Sequence, residues 1–175
     1  MLYLREIEKS DLRNINRWRN DKEIVDLLGA NYLYIAETID EKWYDNYIKT
    51  RDKAVRLAII TTDKKKHIGN VNLTNIHPVN RSAEFSIFIG DKNYWSKGFG
   101  SKALFEMLKH GFQNLNLQRI FLFVLKENKT AYRMYKKTGF LDEGLLRGAV
   151  YKNSKYKDVI IMSILRQDYF KKYSD

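Results

Sequence analysis

Two glycines separated by one residue, Gly98 and Gly100, stand where a strand pattern gives way to a helical one. Ser96, Lys97 and Ser101 surround them. The free backbone N–H groups and the dipole of a helix N-terminus favour an anion, and glycine lets a ligand approach the backbone closely. This combination predicts a site with the chemical character of a pyrophosphate site at the start of the helix.

The same glycines fit two other interpretations. Residues 98–103 satisfy the G-x-G-x-x-G/A fingerprint of dinucleotide-binding proteins, but in that class the first glycine directly follows an N-terminal strand, whereas residues 91–97 intervene here. A Walker phosphate loop is excluded, because no glycine-rich loop ends in Gly-Lys-Ser/Thr. The glycines could also serve only a tight turn and close helix packing. The glycine stretch alone leaves these alternatives open.

The surrounding hydrophobic pattern predicts the elements that would position this stretch. Helices are expected from Ser10 to Arg19, from about 38 to 50, from about 98 to 115, and over "NKTAYRMYKKTG". Ser10 is expected to cap the first helix, and Thr38 with Glu41 to form a capping box on the second. Strands are predicted over "MLYLREI", "AVRLAIITT", "HIGNVNLTNI", "SAEFSIFIG", "QRIFLFVL", "FLDEGLLRGAVY" and "KDVIIMSILR". This order predicts one mixed α/β domain over residues 1–175.

Composition narrows the class of protein further. The chain has 175 residues and no cysteine, which excludes disulfides, thiolate metal sites and a cysteine nucleophile, and favours a cytoplasmic location. Its start is charged and its longest aliphatic runs are too short to cross a membrane, so no membrane association is expected. The three histidines, His67, His77 and His110, have no metal-like spacing, and no metal is expected.

The charge is unevenly distributed along the chain. The net charge is +11, yet residues 20–46 hold seven acids against two lysines. Basic proteins favour polyanions such as nucleic acid or a phosphate-rich small molecule. The pattern therefore suggests two binding surfaces of opposite sign, although two solvated faces would give the same composition.

Several segments carry a resemblance to a known family. The helix entrance reads Trp95-Ser96-Lys97-Gly98-Phe99-Gly100, similar to the Q/R-x-x-G-x-G/A signature of the GNAT superfamily of acyl-CoA-dependent N-acetyltransferases, with Trp95 in place of Gln or Arg. "RSAEFSIFIGDKNYWSKGFG", "LNLQRIFLFVLKENKTAYRMYKKTGF" and "EGLLRG…KYKDVIIMSIL" resemble the branch of ribosomal-protein N-terminal and bacterial spermidine acetyltransferases. The resemblance implies the GNAT fold, a mixed α/β, mostly antiparallel sheet with splayed central parallel strands. Residues 1–80 would form the acceptor side and residues 81–175 the acetyl-CoA side.

The resemblance also implies roles for individual residues. Tyr135 matches the family's general acid, and Glu84 is the best-placed carboxylate for the base by the same analogy. Asn128 matches a position that bonds the pantetheine arm, with Tyr132 on the same cofactor-binding helix. The remaining acetyl-CoA contacts would come from the strand backbone and the helix entrance, at Ile87, Phe88, Ile89, Trp95, Ser96, Lys97, Gly98, Phe99, Gly100 and Ser101.

The chemistry of acetyl transfer agrees with these roles. An alkylammonium has a pKa near ~10 and must lose a proton before it attacks the thioester to form a tetrahedral intermediate. A tyrosine hydroxyl can protonate the departing thiolate, and a carboxylate can take the amine proton directly or through water. On residue type alone, Tyr135 would equally be a core aromatic and Glu84 an exposed strand acid.

The acceptor is the least determined part of this interpretation. Glu37, Asp40 and Glu41, in the acidic segment, are expected to attract a cationic amine, such as a polyamine or a protein N-terminus. An amino sugar or an aminoglycoside is the alternative acceptor.

Two other classes of protein stay open, a nucleotide-dependent oxidoreductase and a nucleic-acid-binding module. Nucleic acid is the weaker expectation, because the basic residues are scattered, with "KKK" at 64–66 the only run. Homodimer formation is left open.

Overall fold

A seven-stranded mixed sheet forms the centre of the protein, whose computed structural model describes residues 1–173. The strand order is β1-β2-β3-β4-β5-β7-β6. The strands are β1 (Leu2–Glu6), β2 (Val55–Thr61), β3 (His67–His77), β4 (Ser82–Ile89), β5 (Arg119–Leu125), β6 (Leu141–Lys152) and β7 (Lys155–Leu165). The helices are α1 (Leu12–Arg19), α2 (Lys22–Asp26), α3 (Glu37–Lys49), α4 (Phe99–Lys109), α5 (Lys129–Thr138) and α6 (Arg166–Tyr173).

The strand pairing confirms the predicted fold class. Neighbouring strands pair antiparallel except for β4 and β5, which pair in parallel. Only one parallel pair therefore lies in the middle of the sheet. A dinucleotide-binding protein would need a doubly wound, mostly parallel sheet, so the oxidoreductase interpretation of the glycines is wrong.

Helices cover both faces of the sheet because strand side chains alternate in direction. On β2, Ile59 packs into the cluster beneath α4, α5 and α6, whereas Ala58 and Ile60 pack with Leu12 and Ile15 of α1. The α4 side holds the larger core, in which Leu104, Met107 and Leu108 have no exposed surface. Their helical spacing turns one face of α4 toward the sheet and fixes the position of its N-terminus.

The first helix begins differently from the prediction. A 3-10 turn over Lys9–Asp11 precedes α1, and the capping box forms between Glu8 and Asp11, so Ser10 is not the N-cap. The Asp11 carboxylate is only 4% exposed and accepts two hydrogen bonds from Arg5, at 2.7 and 2.9 Å. Because Arg5 of β1 pairs with Asp11, the cap before α1 is built from Asp11 and not from the exposed Ser10.

Other helix boundaries also depart from the prediction. The α3 helix starts at Glu37 with Ala36 as its N-cap and no side-chain cap, so the predicted capping box of Thr38 and Glu41 is wrong. The α4 helix stops at Lys109 and continues as a π-helical turn over His110–Asn114. The short α2 and the C-terminal α6 were not predicted. Five residues carry too little periodicity to be recognised, and α6 directly follows β7 without a turn residue.

Candidate active site

The two parallel strands separate within the sheet, and a cavity opens between them. Their parallel pairing covers only Ser82–Glu84 against Arg119–Phe121. Beyond Glu84, β4 continues to pair with β3 only. A cavity of about 630 Å³ lies at this opening and is lined by Ile87, Phe88 and Ile89 of β4, by the loop into α4 and by α5. We call it the splay cavity. The backbone of β4 is thus free on the side where a linear ligand could pair with it.

The loop into α4 presents unpaired backbone N–H groups to the splay cavity. Ser96 and Gly98 both have left-handed backbones, with φ of 57° and 79°. Gly98 is the N-cap of α4, and no side chain caps this helix. The first N–H groups of a helix lack intrahelical partners, and here Phe99, Gly100 and Ser101 line the cavity. This donor set fits a pyrophosphate group. Lys97 is exposed and is not among the lining residues.

Trp95 joins this loop to the end of β4. Its indole Nε1 donates a hydrogen bond of 2.7 Å to the carbonyl oxygen of Ile89, and its side chain lines the cavity. The carbonyl of Ile89 therefore already has a partner. Successive strand residues point their backbone groups to opposite edges, and the Phe88 carbonyl lies against Gly69 of β3, so Ile87 is the residue whose backbone is left free toward the opening and the backbone contact predicted for Phe88 is wrong. A tryptophan can hold the loop through this bond, which accounts for its presence where the family signature has Gln or Arg.

Tyr135 is a buried tyrosine that lines the splay cavity from α5. Its side chain is 6% exposed, and its ring packs edge-on against Phe85, with 6.1 Å between centroids, and at 5.7 Å from Phe140. No hydrogen bond from its hydroxyl to residues 1–173 is present, and burial raises the pKa of the phenol well above its usual value. A proton donor that stays protonated near neutral pH thus borders the cavity.

The other two predicted residues of α5 have different surroundings. Asn128 lines the splay cavity, but both ends of its amide are engaged. Its Oδ1 accepts from the N–H of Ala131 at 3.1 Å as the N-cap of α5, and its Nδ2 donates to the carbonyl of Leu27 at 2.9 Å. Tyr132 is not among the lining residues, and its hydroxyl donates to Asp142 at 2.9 Å. The structure therefore brings Asn128 to the cavity and leaves Tyr132 on its outside.

Glu84 occupies the last parallel pair before the strands separate. It is half-buried, and its Oε2 accepts a hydrogen bond of 3.0 Å from Asn75. Its neighbours Ala83 and Phe85 point into the core beneath α4 and α5, so the Glu84 side chain lies on the opposite face of the sheet. It is not among the residues that line the cavity. Any role as base would then operate across the opening, through water.

The three predicted acceptor carboxylates are not equivalent. Asp40 has no exposed surface, accepts a hydrogen bond of 2.8 Å from Asn16 and forms a salt bridge with Arg19. Its carboxylate joins α3 to α1 and cannot meet a substrate, which corrects the prediction for this residue. Glu37 and Glu41 are exposed and form no salt bridge within residues 1–173. They lie four residues apart, on one face of α3.

We expect Asp40→Asn to lower stability rather than substrate affinity. The change removes the charge that Arg19 pairs with and leaves Asn16 with a weaker acceptor, so the free energy of unfolding should fall by about 1–3 kcal/mol. Arg19 is 38% exposed, and water will screen part of this loss. Urea unfolding would measure it. An unchanged midpoint together with a raised acceptor KM would restore Asp40 as a substrate contact.

A second, polar cavity of about 410 Å³ lies between α1 and the start of α3. It is lined by Arg13, Asn14, Asn16, Arg17 and Glu37. The positive charges of Arg13 and Arg17 partly offset the negative charge of the Glu37 carboxylate.

Part of the splay cavity comes from a segment with no recognisable chemical motif. Ile24, Leu27 and Leu28, from α2 and the residues after it, line the cavity opposite α5. They are ordinary apolar residues about 100 positions before Asn128 in the sequence, and only their apolar character could have marked them. Tyr94 and Met134 also line the cavity and were not predicted.

Within residues 1–173, no group of three or more His, Cys, Asp or Glu side chains is placed to hold a metal ion. None of the helices in that range is both long and apolar enough to span a bilayer.

Comparisons with known proteins agree with this geometry. Residues 1–141 match the sequence profile described as an acetyltransferase (GNAT) domain. The chain is 34% identical over 168 residues to spermidine N(1)-acetyltransferase of Vibrio cholerae, covering 96% of this chain and 95% of that protein. The spermidine N(1)-acetyltransferase of Escherichia coli K12 is 34% identical over 167 residues, covering 95% and 87%. The crystal structure of the Vibrio cholerae enzyme with CoA and spermine superposes with a TM-score of 0.91 at 33% identity, covering 97% of this chain and 98% of that chain.

Proposed function

The chain belongs to the GNAT acetyltransferase family, and we propose that it transfers the acetyl group of acetyl-CoA to a primary amine of a polyamine. One observation carries the acceptor class. The Vibrio cholerae structure with a TM-score of 0.91 is a spermidine N-acetyltransferase in complex with CoA and spermine, and it covers 97% of this chain. The splay cavity, with its anion-binding end and its buried tyrosine, supports acetyl-CoA as co-substrate in this chain as well.

The residues proposed to hold acetyl-CoA fall into two groups. The N–H groups of Phe99, Gly100 and Ser101 would bind the pyrophosphate, with Lys97 adding positive charge from outside the cavity. The free backbone edge of β4 at Ile87 would pair with the pantetheine arm, because both are extended and carry complementary donors and acceptors. This arrangement brings the thioester toward Tyr135.

The proposed reaction is direct attack of the amine nitrogen on the thioester carbonyl carbon. The C–N bond forms first and gives a tetrahedral intermediate; the C–S bond breaks as this intermediate collapses, and the departing thiolate takes a proton from the Tyr135 hydroxyl. The amine must first lose its own proton, and Glu84 acting through water is the proposed acceptor of that proton.

The acidic face of α3 is proposed to attract the cationic acceptor. Glu37 and Glu41 remain without salt bridges within residues 1–173, and a polyamine carries several positive charges. We expect the double change Glu37→Gln and Glu41→Gln to raise the polyamine KM about 3- to 10-fold at low salt, and less at high salt because the attraction is screened. The acetyl-CoA KM should stay unchanged. Equal polyamine KM values at both salt concentrations would contradict the proposal.

A thiol-release assay tests the proposed function directly. The purified chain is supplied with acetyl-CoA and, separately, with spermidine, spermine, a peptide with a free N-terminus and an aminoglycoside. We expect CoA release above background with the polyamines and little with the others. Release with the peptide or the aminoglycoside alone would overturn the polyamine assignment, and no release with any amine would overturn the activity. Mass spectrometry of the product identifies the acetylated nitrogen.

A further inference from the structure

Lys152 is a buried lysine that lies outside the residues assigned so far. It ends β6 at the hairpin turn into β7 and is only 6% exposed. Its ammonium donates to the carbonyl oxygen of Val25 at 2.8 Å and to that of Ala30. No salt bridge from this ammonium is formed within residues 1–173, and burial lowers its pKa. A lysine ammonium that is buried against two carbonyls, with the Asp26 carboxylate nearby, still carries a desolvation penalty, so its presence calls for an explanation.

The two carbonyls lie on either side of the apolar wall of the splay cavity. Val25 belongs to α2, and Ala30 lies four residues beyond the end of that helix. Between them are Leu27 and Leu28, which line the cavity. The ammonium of Lys152 thus bridges the two ends of residues 25–30, which we call the wall segment, and fixes its curvature from the β6–β7 hairpin.

The wall segment is also fixed from the other side of the cavity. The carbonyl of Leu27 accepts the hydrogen bond from Asn128 at the start of α5, on the helix that carries Tyr135. The segment therefore has one polar attachment to α5 and three to the β6–β7 hairpin, two from Lys152 and one from Asn153, whose Nδ2 donates to Asp26 at 3.2 Å. Since α2 is only five residues long, it has little helical stability of its own, and its position depends on these attachments.

We infer that Lys152 is a positioning residue of the active site, which holds Leu27 and Leu28 in place as a wall of the splay cavity. The inference rests on the proposed function. The pyrophosphate end of the cavity is built by the loop into α4, which Lys152 does not contact, so the effect falls on the part of acetyl-CoA that lies beyond the pyrophosphate. Loss of the ammonium would leave the carbonyls of Val25 and Ala30 without their donor and would let the wall segment move toward water.

The test compares Lys152→Met with Lys155→Met. Both changes remove one positive charge from the same hairpin, but Lys155 is exposed and forms no salt bridge within residues 1–173. For Lys152→Met we expect the acetyl-CoA KM to rise about 10-fold, the polyamine KM to stay within about twofold, and amide hydrogen exchange in residues 25–30 to accelerate. Lys155→Met should match the wild type in all three, and Lys152→Arg, which keeps a donor, should recover part of the acetyl-CoA KM.

Three results would overturn the inference. One is unchanged exchange in residues 25–30 for Lys152→Met. Another is a lower melting temperature with an unchanged acetyl-CoA KM, which would assign Lys152 a purely structural role. The third is an equal rise in KM for Lys155→Met, which would assign the effect to charge alone. If Lys152→Met does not fold, Lys152→Gln, which keeps an N–H donor, takes its place. If the wild-type protein acetylates no polyamine, the proposed function is refuted. Hydrogen exchange in residues 25–30 would then still test the contact between Lys152 and the wall segment.

Discussion

Tyr135→Phe should lower kcat by about 10²- to 10⁴-fold, the range typical of a lost general acid. The ring will keep its packing against Phe85 and Phe140, since only the hydroxyl is removed. Affinity for acetyl-CoA should therefore stay within about twofold of the wild type. Steady-state kinetics with a polyamine, together with calorimetric titration of CoA, measure the two quantities separately.

A second tyrosine provides the matched control for this change. Tyr47 is 5% exposed, and its hydroxyl donates to Glu6 at 2.8 Å, with no part in the splay cavity. Tyr47→Phe should lower the free energy of unfolding by about 0.5–1.5 kcal/mol and leave kcat unchanged. If Tyr135→Phe turns over at the rate of Tyr47→Phe, the proton for the thiolate comes from another group, and Tyr135 only packs.

The pH dependence of the wild type follows from the direction of the Tyr135 pKa. Burial raises this pKa above the usual value of about 10, so the phenol keeps its proton from pH 6 to 9. Over the same range, a growing fraction of the acceptor amine, with a pKa near ~10, becomes neutral. We expect kcat/KM for the polyamine to rise with pH and to show no falling limb below pH 9. A falling limb in that range would show that the acid titrates too early to be Tyr135.

Gly98→Val should weaken acetyl-CoA binding about 10- to 100-fold. A valine Cβ at this position would meet no atom within 4 Å, so the effect comes from the backbone and not from a clash. Gly98 has φ of +79°, a conformation that costs a β-branched residue of order 1–3 kcal/mol. The loop is expected to relieve this strain by rotating, which turns the N–H groups at the start of α4 away from the pyrophosphate. The acetyl-CoA KM and the thermal shift on adding CoA measure the loss.

Gly144 supplies the matched control for Gly98. It lies on β6, its added Cβ also meets nothing within 4 Å, and its φ is outside the left-handed region. Gly144→Val should leave the acetyl-CoA KM unchanged. Gly98→Asn should fall between the two, because asparagine tolerates the left-handed conformation better than valine does. Equal KM values for both valine variants would mean that the loop conformation does not govern cofactor binding.

Local patterns in the sequence were sufficient for the fold class and for the anion-binding end of the site. Strand alternation, helical periodicity and glycines at a helix entrance are short-range properties, and each acts over a few neighbouring residues. The seven strands and the helix behind Gly98 were therefore predictable. The helix starts were less so, because the choice between Ser10 and Asp11 depends on Arg5 of another element.

The catalytic role of Tyr135 was predicted from a family resemblance, and the physical reason for that role becomes visible only in the fold. The residue type and spacing of Tyr135 fitted a core aromatic equally well, and the structure places it in both settings, with its ring in the core and its edge on the cavity. The separation of β4 from β5 after Glu84 creates that second setting. No periodicity in either strand signals where a parallel pairing will stop.

Composition and local conformational preference suffice to predict the mixed α/β fold, the turn at Gly98 and the excess of acid over base in residues 20–46. Which of those acids are free follows only from the folded arrangement. Asp40 is paired with Arg19, 21 positions away, whereas its neighbours Glu37 and Glu41 are exposed. The same holds for the contact of the wall segment with Lys152, more than 120 positions later in the chain. Such pairings depend on which surfaces the sheet brings together, and that is a property of the whole chain and not of any stretch of it.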